Sequence, residues 1–222
     1  MKGIYSLNHF NFVDKIVIKK RQEICDIISE SLKDITIYDA LDIGTTNDDN
    51  YESNNYLTKN LKNISVFKSI SDQYFEDNFF KNILTKSITE DLSTEEINIF
   101  RSDLIISNAT IEHVGSFENQ VKMIKNILKL TKKYFVITTP NRYHPLDFHT
   151  KLPFIHWLPK KVHRKILSFL GLNFFSYEKN LNLLSENDLR LCLKISGITS
   201  YKIYYVYLFG FKSNLLVLGK IN

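Results

Sequence analysis

Between positions 12 and 33 the apolar residues Val13, Ile16, Val17, Ile24, Ile27, Ile28 and Leu32 recur largely at helical spacing, with lysines and glutamates between them. That pattern predicts an amphipathic first helix. The period then changes. "ITIYDALDI" (35–43) is a short apolar run that stops at Gly44, as a strand buried on both faces would. "NISVFKSIS" (63–71), "NILTKSI" (82–88), "SDLIISN" (102–108) and "KYFVITTP" (133–140) repeat its character. Polar or helical segments separate these runs, most clearly "SFENQVKMIKNILKLTKK" (116–133), where Val121, Ile124, Ile127, Leu128 and Leu130 mark one face. Strands alternating with helices predict an α/β fold whose parallel sheet is joined by crossovers.

The alternation breaks after Pro140. Pro140, Pro145, Pro153 and Pro159 are all the prolines of the chain, and they share one segment rich in aromatics and histidine, which reads as an insertion. A basic stretch, "KKVHRKILSFLGL", comes next. In "LLSENDLRLCLKISG" Ser185 followed by Asp188 has the pattern of a helix N-cap with its capping-box acid. Two strand-like runs, 198–208 and 211–221, close the sequence.

Length and composition narrow the class without naming a function. A chain of 222 residues, 44% hydrophobic and 24% charged, suits one globular domain, or one domain with an appended subdomain, and no fibrous or disordered protein. Cys25 and Cys192 lack any C-x-x-C partner, so they imply neither a disulfide framework nor a thiolate zinc site, and two buried thiols in a reducing cytoplasm are expected. The first twenty residues contain no uninterrupted apolar core and no small-residue cleavage site, against a secretory signal. Lys202, Lys212 and Lys220 cut the apolar tail into pieces shorter than the ~18 residues of a membrane span. The net charge of +5 fits either an anionic partner or a well-solvated surface.

Three segments taken together resemble the class I S-adenosylmethionine-dependent methyltransferases: "ALDIGTT" (40–46), "SDLIISNATIEHVGSFENQ" (102–120) and "YFVITTPNRYHPLDFH" (134–149). They are similar to a bacterial branch with a glycine-poor first loop, an Asn-rich "SNNYL" (53–57) and a "TPNR" leading into "FHT" and "HWLP". The resemblance spans 35–197. It implies a three-layer Rossmann-like fold with a mostly parallel seven-stranded sheet in the order 3-2-1-4-5-7-6, ending in an antiparallel strand pair. On this reading 1–222 is a single domain, with the helix at 12–33, a cofactor-binding half at 35–139, a substrate or lid insertion at 140–180, and a closing helix and strand pair at 185–222.

The same resemblance supplies candidate residues. Gly44 lets backbone and cofactor approach each other. The positions of the family's later glycines hold Thr46 and Asp48, with Asn47 between, so the loop is expected to be braced by side chains. Asp42 is placed near the cofactor's ammonium group, with the Thr45 and Thr46 hydroxyls replacing some backbone contacts. Asp72 is expected to bind the ribose hydroxyls, Ser71 being the alternative register and Glu76 lying one turn later. Ile88 stands where many relatives carry an adenine-side Asp, leaving that task to Thr89 or Asp91, and Asn108 borders the methionine part.

Glu112 and His113 follow as catalytic candidates. A neutral imidazole at His113 either removes a proton from the acceptor or merely orders its loop. Asn141, Arg142, His149 and Trp157 are expected to form the acceptor pocket, and Arg142 either holds an anionic group or, preferably, pairs with Asp147. The spacing of His144, His149 and His156 fits no helical ligand pattern, so no metal is expected. Lys160, Lys161, Arg164 and Lys165 oppose Val162, Ile166, Phe169 and Leu170 on a basic amphipathic helix, a lid or a peripheral membrane contact at 160–170.

The function expected is methyl transfer from S-adenosyl-L-methionine to a small-molecule, lipid-linked or glycan-linked acceptor. The alternative is a catalytically silent binding protein with the same fold. The absence of any G-x-G-x-x-G speaks against a nicotinamide enzyme. Nothing resembles a nucleic-acid recognition module, and the sequence leaves the oligomeric state open.

Overall fold

A computed structural model describes residues 11–47 and 52–221. The leader reading of 1–10, Asp48 of the first loop and the side chain of Val13 lie outside the described residues. In chain order the elements are α1 (Asn11–Ser31), β1 (Asp39–Ile43), α2 (Tyr56–Asn60), β2 (Val66–Ser71), β3 (Phe80–Thr85), α3 (Thr94–Phe100) and β4 (Ser102–Asn108). They continue with α4 (Phe117–Leu130), β5 (Thr131–Pro140), α5 (Lys160–Phe169), α6 (Asn173–Ser176), α7 (Glu186–Ile195), β6 (Tyr201–Leu208) and β7 (Phe211–Lys220).

The strands form one seven-stranded sheet in the order β3-β2-β1-β4-β5-β7-β6. β1 to β5 run parallel, and β7 lies antiparallel between β5 and β6. Side-chain alternation sorts the central strands into two packed faces. Ala40, Leu104, Ile106, Val136 and Leu216 meet Ile24, Cys25, Ile28 and Leu32 of α1. On the other face Leu41, Ile43, Ile105, Phe135, Ile137, Leu215 and Val217 meet Ile124 and Ile127 of α4 and Leu189, Cys192 and Leu193 of α7. Burial pushes both cysteine thiols up to about 12, so they pack as small apolar groups. Gly219 faces Phe135 across the β5–β7 ladder, and a Cβ there would stand 2.1 Å from the phenyl ring.

The boundaries depart from the sequence pattern where polar residues enter the sheet. The helix expected through position 133 ends at Leu130, and Thr131 already begins β5, its hydroxyl donating back to the Ile127 carbonyl at 2.7 Å. β3 lies earlier than 82–88 because Phe80 pairs with Phe67 at the sheet edge. The capping box at Ser185 and Asp188 forms as read. No helix among the described residues is long and apolar enough to cross a membrane.

Candidate active site

A cavity of about 520 Å³ opens over the carboxyl ends of the parallel strands, within the roughly 300–1,000 Å³ of small-molecule sites. β1 delivers Asp42 and the turn at Gly44 to it, β2 delivers Ser71 and Asp72, and β4 delivers Asn108 and the turn carrying His113. α1 closes one side with Ile16, Val17, Lys20 and Arg21.

Gly44 has φ 89°, and a Cβ on it would meet the Thr110 hydroxyl at 2.3 Å. Its first task is therefore to let the β1 and β4 turns touch. Thr110 donates to the Ile43 carbonyl at 3.1 Å across that contact. The glycine-poor loop is braced from α2: Asn55, itself left-handed at φ 53°, accepts from the Thr46 amide at 3.0 Å and donates to the Thr46 carbonyl at 2.8 Å. Thr45 points inward, accepting from Ser69 at 2.7 Å. Ser71 donates to the Thr45 carbonyl at 2.6 Å. Thr45 and Thr46 thus line the cavity with their loop held by internal bonds.

Asp42 is buried and takes a hydrogen bond from the Thr58 hydroxyl at 2.6 Å. Burial lifts its carboxyl to about 6, against the pull of the Thr58 and Thr45 hydroxyls. Arg21 is the complementary case. It lines the cavity, where desolvation lowers its guanidinium to about 10, and no carboxylate among the described residues pairs with it. Asp72 stands exposed on the cavity rim, while the Ser71 hydroxyl is committed to the loop. Glu76 lies outside the lining and accepts from the Tyr74 hydroxyl. Thr89 and Asp91 also stand outside, Thr89 bonding Ser87 at 2.9 Å; Lys86, Ser87 and Ile88 face the cavity instead. Asn108 accepts from the Thr138 hydroxyl at 2.6 Å and borders the cavity.

The Glu112–His113 turn splits between core and cavity. His113 lines the cavity, and its Nδ1 lies 2.7 Å from the Asn180 carbonyl, so that nitrogen carries the hydrogen. Burial, then the neighbouring His149, lowers its pKa to about 3, against the Asn180 carbonyl and Asp147. Glu112 is fully buried behind the cavity wall. Its Oε2 accepts from Thr139 at 2.9 Å, and burial raises its pKa despite His149, its own amide and Thr139.

The insertion contributes less lining than its composition implies. His149 and Phe148 reach the cavity, whereas Asn141, Arg142 and Trp157 do not. Asn141 donates to the Lys212 carbonyl at 3.0 Å, and the Trp157 indole donates to the His144 carbonyl at 3.1 Å. The expected Arg142–Asp147 pair does not form. Arg142 donates to the His156 and Leu158 carbonyls at 3.1 and 2.8 Å, because the turn at 155–158 leaves those acceptors open beside it. Asp147 instead accepts from the His149 amide at 2.9 Å and the Thr150 hydroxyl at 2.6 Å. On α5 the buried positions are His163 and Leu167, so Val162, Phe169 and Leu170 of the expected apolar face are exposed.

No protein-family model matches the chain, and no curated protein matches its sequence. Solved structures match over nearly its whole length. Magnesium protoporphyrin IX methyltransferase from Synechocystis PCC 6803, with bound S-adenosylhomocysteine, superposes with a TM-score of 0.60 at 13% identity over 99% of this chain and 91% of that one. The fold is that of the class I methyltransferases. 1,6-Didemethyltoxoflavin-N1-methyltransferase from Burkholderia thailandensis gives 0.56 at 11% identity over 94% and 80% of the two chains. The N-methyltransferase NodS from Bradyrhizobium japonicum WM9 gives 0.53 at 10% over 91% and 96%. On this methyltransferase fold, sequence reasoning missed Arg21 and Asn55. Arg21 looked like one more solvated charge on an amphipathic helix, and only the Asn-rich composition of 53–57 hinted at Asn55.

Proposed function

We propose that this chain is an S-adenosylmethionine-dependent methyltransferase acting on a small-molecule, lipid-linked or glycan-linked acceptor. The observation that carries the reading is the pair of opposite charges in one cavity, Asp42 raised and Arg21 lowered by desolvation, neither with an ionic partner among the described residues. Such a pair fits the ammonium and carboxylate of an amino-acid moiety. Asp72 would accept from the ribose hydroxyls, and Ile88 would offer an apolar contact beside the base. When bound, the cofactor supplies an electrophilic methyl group on a sulfonium.

The chain's own residues would orient the acceptor. His113 is neutral at pH 7 and too weak a base to drive deprotonation by itself, so its role is alignment, which methyl transfer rewards most. Exposed Val162, Phe169 (90% exposed) and Leu170 beside Lys161 and Lys165 favour a lipid-linked acceptor, since interface-seeking helices combine these groups. Flotation of the chain with anionic liposomes tests that choice, and its absence would favour a soluble acceptor.

Calorimetric titration with S-adenosylmethionine, S-adenosylhomocysteine and nicotinamide dinucleotides decides the cofactor, with saturable binding expected for the first two alone. Arg21→Ala and Asp72→Asn should each weaken binding by about 1.5–3 kcal/mol, the value of a charge-assisted hydrogen bond. Ser71→Ala affecting affinity more than Asp72→Asn would move the ribose contact by one residue. Tight cofactor binding without turnover of any acceptor class would favour the silent binding protein.

A further inference from the structure

The turn after β4 and the insertion bring three potential ligand atoms together at the cavity wall. His113 Nε2 and His149 Nε2 lie 3.2 Å apart, and Glu112 Oε1 lies 4.0 Å from the first and 3.9 Å from the second. We propose that Glu112, His113 and His149 form a binding site for a divalent first-row transition metal, with zinc as its reference ion.

Three observations lead there independently of the histidine spacing, which by itself predicts no metal. The first concerns protons. The Asn180 carbonyl fixes the hydrogen of His113 on Nδ1, so its Nε2 presents a lone pair to His149. The His149 Nδ1 meets Asp147 Oδ1 at 3.3 Å, which calls for a hydrogen on that nitrogen too. A neutral His149 then presents a second lone pair, and two facing lone pairs at this separation require a positive charge on or beside their axis. Either an extra proton or a metal supplies it.

The second observation selects between these. Glu112 Oε1 is fully buried, has no hydrogen-bond partner among the described residues and stands near both Nε2 atoms. A proton shared between the imidazoles gives that oxygen a charge about 3.9–4.0 Å away but no hydrogen bond. A metal uses all three atoms. Ligands on tetrahedral zinc at 2.0–2.1 Å stand about 3.3 Å apart, so a carboxylate shift of about 0.7 Å closes the triangle.

The third is the support around each ligand. His113 is oriented by a backbone carbonyl, His149 by a carboxylate, and Glu112 by the Thr139 hydroxyl through its other oxygen. Carbonyl and carboxylate partners of this kind orient metal-bound imidazoles and raise their basicity. The Glu112 and Asp147 carboxylates together neutralise a dication buried among them.

Two nitrogens and one oxygen favour zinc, iron, cobalt or manganese over magnesium and calcium, which take oxygen shells. Three protein ligands leave a coordination position open, and His113 and His149 border the cavity, so that position faces the space available to an acceptor. A hydroxyl or amine bound there would have its acidity raised.

The test requires neither cofactor nor acceptor, so it stands apart from the methyltransferase reading. The untagged, chelator-dialysed chain is titrated with zinc against a chromogenic chelator, and with cobalt while visible absorption is recorded. One equivalent per chain is expected, with ligand-field bands for cobalt and a melting temperature raised by zinc. Glu112→Gln and His149→Asn should each weaken zinc binding at least tenfold and abolish the thermal shift. Should Glu112→Gln fail to fold by circular dichroism, His149→Asn at the cavity wall carries the same comparison. Absence of stoichiometric binding to the wild-type chain, or equal binding by wild type and the folded variants, would overturn the proposal in favour of a shared proton.

Discussion

Asp39 and Asp42 sit on the same strand, are equally buried at 5% and 6% exposure, and behave oppositely. Asp39 belongs to the floor of the sheet. Lys68 reaches it at 2.9 Å, Lys132 at 3.3 Å, and the Asp103 amide donates to it at 2.9 Å. Burial pushes its pKa up, but the Lys68 hydrogen bond, the Asp103 amide and the two lysine charges outweigh burial and hold it below the ordinary value. Asp42, at the rim, receives hydroxyls alone and rises to about 6. The floor is electrostatically complete, with Lys133 and Asp103 paired beside it at 2.8 Å. At the rim, Asp42 and Arg21 carry desolvation that no ionic partner among the described residues offsets. At equal burial the two carboxyls shift in opposite directions, and the discriminating quantity is what the chain places opposite the charge.

The sharpest way to break this contrast is at the floor. Lys68→Ala leaves Asp39 buried with its main partner gone, and should cost about 3–5 kcal/mol of stability in urea unfolding while sparing the cofactor affinity of the folded fraction. Gly44→Ala should cost about 1–3 kcal/mol from its positive φ and the Thr110 contact. Thr110→Ala in that background should recover part of the loss, because it removes the colliding hydroxyl. A Gly44→Ala protein of unchanged stability would show that the two turns do not touch in solution.

The smallest effect tests the rim. A carboxyl whose folded pKa is raised binds protons more tightly when folded, so its contribution to stability falls as pH rises from about 4 to about 6 and stays low above that. Asp42→Asn should therefore stabilise the chain at pH 8 and make no difference below pH 4, the gain growing between the ordinary and the raised pKa of the carboxyl. Binding of S-adenosylhomocysteine to wild type should weaken as pH drops through about 6, since protonation competes with the ammonium. Asp42→Asn should bind weakly at every pH. A flat wild-type profile would detach Asp42 from the ammonium.

The fold was legible because its signals are local. β4 reads off the sequence to the residue, bounded by Ser102 and Asn108, and the Ser185–Asp188 box fixes the start of α7. The strand order implied by the resemblance to class I methyltransferases is the order observed. The site was less legible because its geometry depends on carbonyl positions that sequence does not display. Arg142 and Trp157 looked like pocket residues but spend their donors on the backbone of the insertion itself. The helical periodicity of α1 does not single out Arg21, and nothing in it shows that this residue looks into a cavity. The contact between His113 and His149 joins a strand-end turn to an insertion, which no local spacing rule can anticipate.

The strand order also sets a timetable for synthesis. β1 to β5 can pair as they emerge, at roughly 5–20 residues per second in a cell, but β5 then waits with a bare edge through the whole insertion. β6 pairs only with β7 among the described residues, and β7 must enter between it and β5. Phe209 and Gly210, both at positive φ, join the last two strands in a two-residue turn suited to a tight hairpin, so the pair can form locally and dock as one unit. Ser213 and Asn214 of that hairpin line the cavity. A nascent chain therefore completes the wall of this cavity only when the hairpin docks, and until then the bare edge of β5 is open to misassociation.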